Sequence, residues 1–400
     1  MAKKIAIPSK ELQLLIIGPK AAFPASRVQK LSLTTNQPSE TKDELGNPQH
    51  VGEVKDIPNV TLTFSAFDVS IKIFAALTGT DPASYPGAGV DISNLGEVDA
   101  AIFVRDTDVA DYVKSIHGRK LQVQDFSYNY SVDGDSTEDY TVIGSERRYL
   151  KYDVVVDKFT TGTNSWTLTQ TPIDLLNDNH ALSVILDGEY LTEVPHGSTP
   201  ATGEYKIVTK TLTTFDTLSD QIIIVYHSDP SGENWNDISD ALIPVAIRGK
   251  DVSITISTES IPRVQSVTVN GNMNTKPVKE LGSRNVVGYQ KQVPTIEGTL
   301  TVLDTDLELI SLLTDGVVSQ SGIYEWGPGE GCTTVNVPLK IELGDPCDVD
   351  GAVTVLKTIY LPSIVITGDS YTMNVNDNAS QVFNYKSEDA QMIIYSGPMP

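Results

Sequence analysis

Basic residues are scarce in this chain: 29 Lys and Arg stand against 52 Asp and Glu, a net charge of −23 over 400 residues. Proteins that grip nucleic acid neutralise phosphates with Lys and Arg and release counterions, so a charge balance of this sign argues against that function class. Cysteine is nearly missing, with only Cys332 and Cys347. A disulfide framework is therefore excluded, and two thiols without neighbouring histidines make no zinc pattern. Because the pair flanks the strand-like stretch Val335 to Leu343, one disulfide stays open beside two reduced thiols. Long apolar runs are also lacking. The N-terminal MAKKIAIPSKELQLLIIGPK contains only the short run Leu14 to Ile17, broken by Gly18 and Pro19, too short for a signal peptide core or a membrane span. The expectation is a chain that folds in the cytoplasm and inserts in no membrane.

Catalytic signatures are missing as well. His50, His117, His180, His196 and His227 are scattered without ligand spacing and are expected on surfaces or in loops. No G-x-S-x-G elbow occurs, and the glycines of Trp326 to Gly331 lack the G-K-[ST] that cradles phosphate. Asp133, Asp135, Glu138 and Asp139 fail the twelve-residue calcium loop and read as a hairpin tip; Asp345, Asp348 and Asp350 stay ambiguous. The chain is expected to have no enzyme activity, no metal and no cofactor.

What the chain does have is β-forming composition and a repeat. Gly, Pro, Thr, Val and Ile are abundant, helical periodicity is short, and 40% apolar residues are enough for a folded core. Residues 27–78 align without a gap to residues 263–314 at an offset of 236. Arg27-Val28-Gln29 matches Arg263-Val264-Gln265, Glu44-Leu45-Gly46 matches Glu280-Leu281-Gly282, and Lys55, Asp68, Leu77 and Thr78 match Lys291, Asp304, Leu313 and Thr314. Within each copy, alternation at Leu31 and Leu33 (Val267 and Val269) predicts one strand. Alternation at Val60, Leu62, Phe64 and Ala66 (Ile296, Leu300 and Val302) predicts another. At Asp68 and Asp304 the period turns helical, with the Asp placed as an N-cap and Ile71, Phe74 and Leu77 (Leu307, Ile310 and Leu313) on one face.

Copy one continues past this block. Ala101 to Val104 reads as a strand, Asp106 to Ile116 as a helix, and Leu121 to Val132 as a strand turning at Asp133-Gly134-Asp135 into another near Tyr140 to Ile143. Copy two ends in a related way at offset 243, with Ser370, Tyr371 and Val375, a turn at Asn376 to Asn378, and Phe383 in the place of Tyr140. A polar, turn-rich linker from Ser231 to Asp240 precedes copy two, whose first strand pair lies within Ala241 to Ile256 and corresponds to Leu12 to Ala22. Between the copies lies a segment with strands at Trp166 to Thr169, Ala181 to Leu186, Tyr205 to Val208 and Ile222 to Tyr226. Its Asp187-Gly188 pair signals a type I′ hairpin. The domain reading is 1–150 for copy one, 151–230 for the inserted module and 231–400 for copy two.

Strand, long polar loop carrying Glu-Leu-Gly, further strands and a helix: this order resembles the tail tube proteins of long-tailed bacteriophages, and the central segment resembles a small β-sandwich module of phage fibres. The first resemblance implies a mainly β fold, two tandem β-sandwich or barrel domains with one short helix each, and a function in assembly. Six such blocks close into a ring around a DNA channel, so a chain with two blocks implies trimeric, pseudo-sixfold rings stacked into a tube. The implied partners are further copies, tape measure and tail-end proteins, and DNA that passes without specific binding. The implied location is a virion tail assembled in the host cytoplasm. The loops then imply assembly contacts at Glu44, Leu45, Gly46, Glu280, Leu281 and Gly282, and the module should project outward. A different class stays open: a carbohydrate-binding or adhesive virion surface protein built from tandem β-sandwiches. A secreted β-rich hydrolase is a third reading.

Overall fold

The computed structural model describes residues 12–20, 22–45, 47–79, 89–106, 111–162, 164–175, 180–228, 246–257, 259–261, 263–283, 285–303, 336–348, 354–373 and 378–400. Copy one runs through β1 (Leu12–Ile17), β2 (Ala22–Pro24), β3 (Val28–Asn36), β4 (Ser39–Lys42), β5 (Gly52–Lys55) and β6 (Asn59–Phe67) to the helix α1 (Lys72–Leu77). It continues with β7 (Val90–Asp91), β8 (Glu97–Asp106), β9 (Asp111–Ser131), β10 (Thr137–Gly144) and β11 (Glu146–Leu150). The module holds β12 (Asp153–Phe159), β13 (Ser165–Thr167), β14 (Ala181–Leu186), β15 (Glu189–Tyr190), β16 (Thr192–Glu193), β17 (Glu204–Val208), β18 (Thr211–Thr214) and β19 (Ile222–Ser228). Copy two holds β20 (Val252–Ile256), β21 (Glu259–Ser260), β22 (Val264–Asn272), β23 (Lys276–Val278), β24 (Gly288–Gln290), β25 (Thr295–Leu303), β26 (Val337–Gly344), β27 (Val355–Thr372), β28 (Ser380–Ser387) and β29 (Ile393–Ser396). The chain is mainly β, as the alternation predicts.

The two copies have one pairing scheme. In copy one β3 pairs β6, β6 pairs β10, β10 pairs the outer half of β9, the inner half of β9 pairs β8 and β11, and β8 pairs β1. In copy two β22, β25, β28, β27, β26, β29 and β20 take the same places. Even the irregularities coincide. The β3–β6 register slips between Val28 and Lys30, and the β22–β25 register between Val264 and Ser266, at the repeated Arg-Val-Gln. Arg27 and Arg263 stand there at φ 58° and 64°. Gln29 and Gln265 each donate a side-chain N–H to the carbonyl of that arginine, at 2.9 and 3.2 Å. Positive φ at a non-glycine residue needs local support, and the glutamine gives it at the bulge.

Alternation built most of these strands. Val60, Leu62, Phe64 and Ala66 are buried, as are Ile296, Leu300 and Val302 in copy two. Where copy one has Leu62 beside Val142, copy two has Gly298 beside Tyr385, so small and large residues have traded strands and the volume between them stays filled. The sheets are not separate bodies: one apolar core runs from Leu14 and Phe64 to Phe383 and Ile394.

Two expectations need correction. Asp106 to Ile116 is no helix, since Asp106 ends β8 and Asp111 opens β9. The inner half of β9 is paired beside β8, whose Ala101 and Phe103 face the module, and its polar Ser115 and His117 are buried like Ile116, while Arg119 Nε donates to Ser183 Oγ of the module at 3.2 Å, so its polar positions mark no solvated face. Helix α1 starts at Lys72 with Ile71 at the N-cap position and no side-chain cap, so Asp68 does not cap it. The helix read at Leu307, Ile310 and Leu313, the 326–331 glycine loop, Cys332, the 231–240 linker, Asp350, Asn376 and Asp377 lie outside the described residues.

The module is a sandwich of two four-stranded sheets, β12-β19-β14-β15 and β13-β18-β17-β16. Its strands β12, β16 and β18 are not among those the sequence predicts. Asp187 and Gly188 have φ 51° and 95°, the double positive φ of a type I′ turn between β14 and β15. Both faces of β14 and β19 are buried. Val184, Ile222, Ile224 and Tyr226 fill the module's own core, while Leu182, Ile185, Ile223 and Val225 pack on Leu15, Ile17, Ala101 and Phe103 of copy one. At that junction Asp99 accepts from Tyr190 Oη (2.9 Å) and Lys120 N (2.9 Å), with His117 Nε2 at 3.1 Å.

Candidate assembly interface

The two copies join edge to edge. Strand β22 of copy two pairs antiparallel with the outer half of β9 of copy one, from Ser266↔Ser131 to Asn272↔Asp125. The ladder extends through Val132 N to Gln265 O (3.0 Å) and Met273 N to Gln124 O (2.7 Å). Gly271 is required here, because a Cβ would lie 2.0 Å from Cζ of Phe126. A second pairing, Ile393↔Asp91 and Ile394↔Val90, ties β29 to β7. The result is one sheet across the duplication.

Beneath the seam lies a buried polar cluster. Lys357 of copy two, fully buried, donates from Nζ to Asp68 Oδ1 of copy one at 2.7 Å and stands 3.7 Å from Glu138 Oε2. Its ammonium also sits 4.4 Å from the centre of the Tyr128 ring. Tyr130 Oη donates to Asp68 Oδ2 (2.6 Å), Tyr140 Oη donates to Glu138 Oε2 (2.8 Å), and the Tyr128 and Tyr140 hydroxyls share a hydrogen bond at 2.8 Å. Burial pushes Glu138 up to about 8, with Lys357 opposing and Asp68 adding to the shift. Burial likewise raises Tyr128, Tyr130 and Tyr140 well above the ordinary tyrosine value. Glu138 is thus no part of a hairpin-tip acidic cluster. Asp133 and Asp135 do stand at the turn, where Asp135 pairs with Arg248 at 3.3 Å, but Glu138 points into the core. Asp68, read as a helix cap, is instead the anchor for a lysine 289 residues away.

The repeated loops are not structureless: β4–β5 and β23–β24 form two-stranded arms. Glu44, Leu45, Glu280, Leu281 and Gly282 stand exposed at the tips, Leu45 and Leu281 fully so and Gly282 at φ 88°; Gly46 lies outside the described residues. The copy-two arm reaches across to copy one. Lys279 Nζ meets Asp56 Oδ2 at 3.0 Å, Asn285 Nδ2 donates to Glu146 Oε1 at 3.3 Å, Val286 N donates to Ser145 Oγ at 3.1 Å, and Lys291 Nζ donates to Leu95 O at 2.6 Å. The tip leucines touch nothing that would hide them.

The sheet formed by β3, β6, β10, outer β9, β22, β25, β28 and outer β27 covers the core with one face. Its other face is polar, and the registers align Lys30, Ser65, Asp139, Ser127, Asn270, Glu297 and Lys386 in one row across the strands. The charged residues of this face are Asp125, Asp139 and Glu297 against Lys30 and Lys386; hydroxyl and amide side chains make up most of the rest. Burial pushes Asp125 upward.

The histidines divide. His50 and His196 are exposed, whereas His117, His180 and His227 are buried, contrary to the expectation of surface positions. His180 Nδ1 lies 2.8 Å from Glu193 Oε1 and its Nε2 lies 3.0 Å from Asp174 Oδ1; the ring of His196 stacks on it at 4.7 Å. Among the described residues no group of three His, Cys, Asp or Glu side chains has the geometry to hold a metal ion. No helix of the described residues is long and apolar enough to cross a membrane. The chain matches no family among the known protein families compared with it and no characterised protein.

Proposed function

We propose that the chain is a structural subunit of a bacteriophage tail tube, polymerising into stacked rings around a channel through which DNA passes. The observation that carries this reading is the seam: two copies of one β fold already stand side by side in a shared sheet, joined by strand pairing and a buried ion pair. A pairing that joins copy one to copy two joins copy two to the next copy one by the same rotation, and such head-to-tail contacts close into a ring. Closure also removes unpaired strand edges. With two blocks per chain, a ring of six blocks takes three chains. The nearly neutral polar face of the shared sheet suits a channel wall, since few Lys or Arg are there to hold phosphates. The exposed arm tips suit contacts to the next ring, and the module, packed on β1 and β8 away from the seam, suits the outside. The partners of this reading are further copies, tape measure and tail-end proteins. Negative-stain microscopy of the purified chain tests it. Tubes built of rings with three chains each are expected; a monomer at all concentrations that binds glycans through the module would overturn it in favour of the adhesive class.

A further inference from the structure

The duplication leaves the chain with two open edges that correspond to the two sides of its own seam. Strand β3 is the copy-one counterpart of β22, and the outer end of β27 is the copy-two counterpart of outer β9. Among the described residues no strand pairs with the outer edge of either. Their side chains are less buried than the counterparts in the seam. In the seam Val267, Val269, Tyr128 and Tyr130 are buried; at the open edges Leu31 and Leu33 are half-buried, and Tyr371 and Met373, in the places of Tyr128 and Tyr130, are 52% and 68% exposed.

We infer that these two edges are one interaction surface whose occupant is a second copy of this chain. Strand β3 of one chain pairs antiparallel with Gly368–Met373 of the next in a register given by the seam. Applying the offsets of 236 and 243 to the seam pairs places Leu33 opposite Tyr371, Thr34 opposite Ser370, Thr35 opposite Asp369 and Asn36 opposite Gly368. The local chemistry agrees with that register. Gly271 is small because Phe126 faces it, and at the equivalent closing pair Thr35 stands where no ring comes, since Asp369 replaces Phe126. The same offset makes Lys114 the counterpart of the buried Lys357. Lys114 is exposed in the single chain, its Nζ 6.0 Å from the centre of the Tyr149 ring. Across the closing contact it comes over Tyr371 as Lys357 comes over Tyr128, and there it meets Gln381 in place of Glu138. The closing contact therefore has Gln381 in the place of Glu138, with Met373 and Phe383 replacing two tyrosines. Its closure into a ring rests on the tube reading, but its register rests on the duplication alone.

The test is cross-linking in a Cys332→Ser/Cys347→Ser background. Opposed residues of neighbouring strands stand close enough for a disulfide. Thr34→Cys/Ser370→Cys is expected to give disulfides between chains, ending at a covalent trimer. The equivalent seam pair Ser127→Cys/Asn270→Cys should close within one chain, and the shifted pair Thr34→Cys/Thr372→Cys should cross-link at least tenfold less. Tyr371→Glu, at an exposed position, should keep the monomer's melting temperature and lose association. Intrachain closure of the control with no interchain product, equal cross-linking of the shifted pair, or unimpaired association of Tyr371→Glu would each overturn the contact. Covalent trimers that never stack into tubes would keep the contact and remove the tube reading; tubes in which Thr34→Cys/Ser370→Cys fails to cross-link would do the reverse.

Discussion

At the scale of single residues, the junction of the copies depends on groups that a hydrophobic pattern assigns to the surface. Lysine and glutamate are rarely buried without a partner, so Lys357 and Glu138 are invisible to a reading of apolar periodicity. Their burial has a consequence for pH. The Glu138 carboxyl is raised from 4.5 to about 8 in the fold, so between those values the folded chain binds more protons than the unfolded one. Its contribution to stability is complete below about pH 4.5, falls as pH rises towards 8, and is constant above. Glu138→Gln, which installs the residue that copy two has at position 381, should flatten that part of the stability curve; urea midpoints at pH 5, 6.5 and 8.5 check it, and an unchanged slope would refute the assignment. Removing the partner is worse than neutralising the acid. Lys357→Met leaves Asp68 buried and unpaired, and the expected loss is about 3–5 kcal/mol, measured by denaturant unfolding at pH 7. Gly298 is as demanding for a steric reason: a Cβ would lie 2.0 Å from Thr268 O and 2.5 Å from the Tyr385 hydroxyl. Gly298→Ala should therefore cost about 1–3 kcal/mol by the same assay, although alanine is the smallest change available.

At the scale of elements, the strands with one solvated face were legible and those with none were not. β6, β10 and β25 alternate strictly and were found. The inner half of β9 buries Ser115 and His117 along with Ile116, so its polar residues do not mark a solvated face, and the sequence predicts a helix there instead of a strand. The turn at Asp187-Gly188 was legible because its chemistry is local. The seam was not, since pairing between copies uses the same residue types as pairing within one; only the duplication, with its constant offset, points to it. The Glu-Leu-Gly loops were legible as a shared feature but not as hairpin arms, because their strands are short and, but for the half-buried Gly288 and Tyr289, exposed. Leu45 and Leu281 each stand fully exposed at an arm tip. A single exposed leucine needs no partner, but in the proposed tube both tips make an apolar contact to the next ring. Leu45→Asp/Leu281→Asp should leave the melting temperature of the monomer within a degree or two, because neither side chain packs in the single chain, and should block stacking of rings. Normal tubes from that double variant, seen by microscopy, would show that the tips are solvated ends.

At the scale of the whole molecule, the charge of −23 has to be reconciled with a polar sheet face that is almost neutral. Three acids and two lysines on that face leave nearly all of the excess on the remaining surface. In the proposed ring like-charged chains stand side by side, so its assembly works against repulsion that acts over about 10 Å at 0.1 M salt and about 30 Å at 0.01 M. The proposed pairing rests on backbone hydrogen bonds and on burying Leu33, Tyr371 and Met373, terms that added salt does not weaken. Assembly should therefore become more favourable as NaCl rises from 10 mM to 300 mM, with the critical concentration falling several-fold, as followed by light scattering. The buried Lys357–Asp68 pair lies within one chain and is shielded from added ions, so the monomer's own unfolding midpoint should move far less over the same series. DNA supplies the complementary measurement. A wall without a basic row offers no counterion release, and tubes mixed with short duplexes at 50 mM salt should show no retention in a gel shift. Assembly that weakens with salt, or duplex DNA held at low salt and released at high, would place a basic surface where this sheet has hydroxyls and amides.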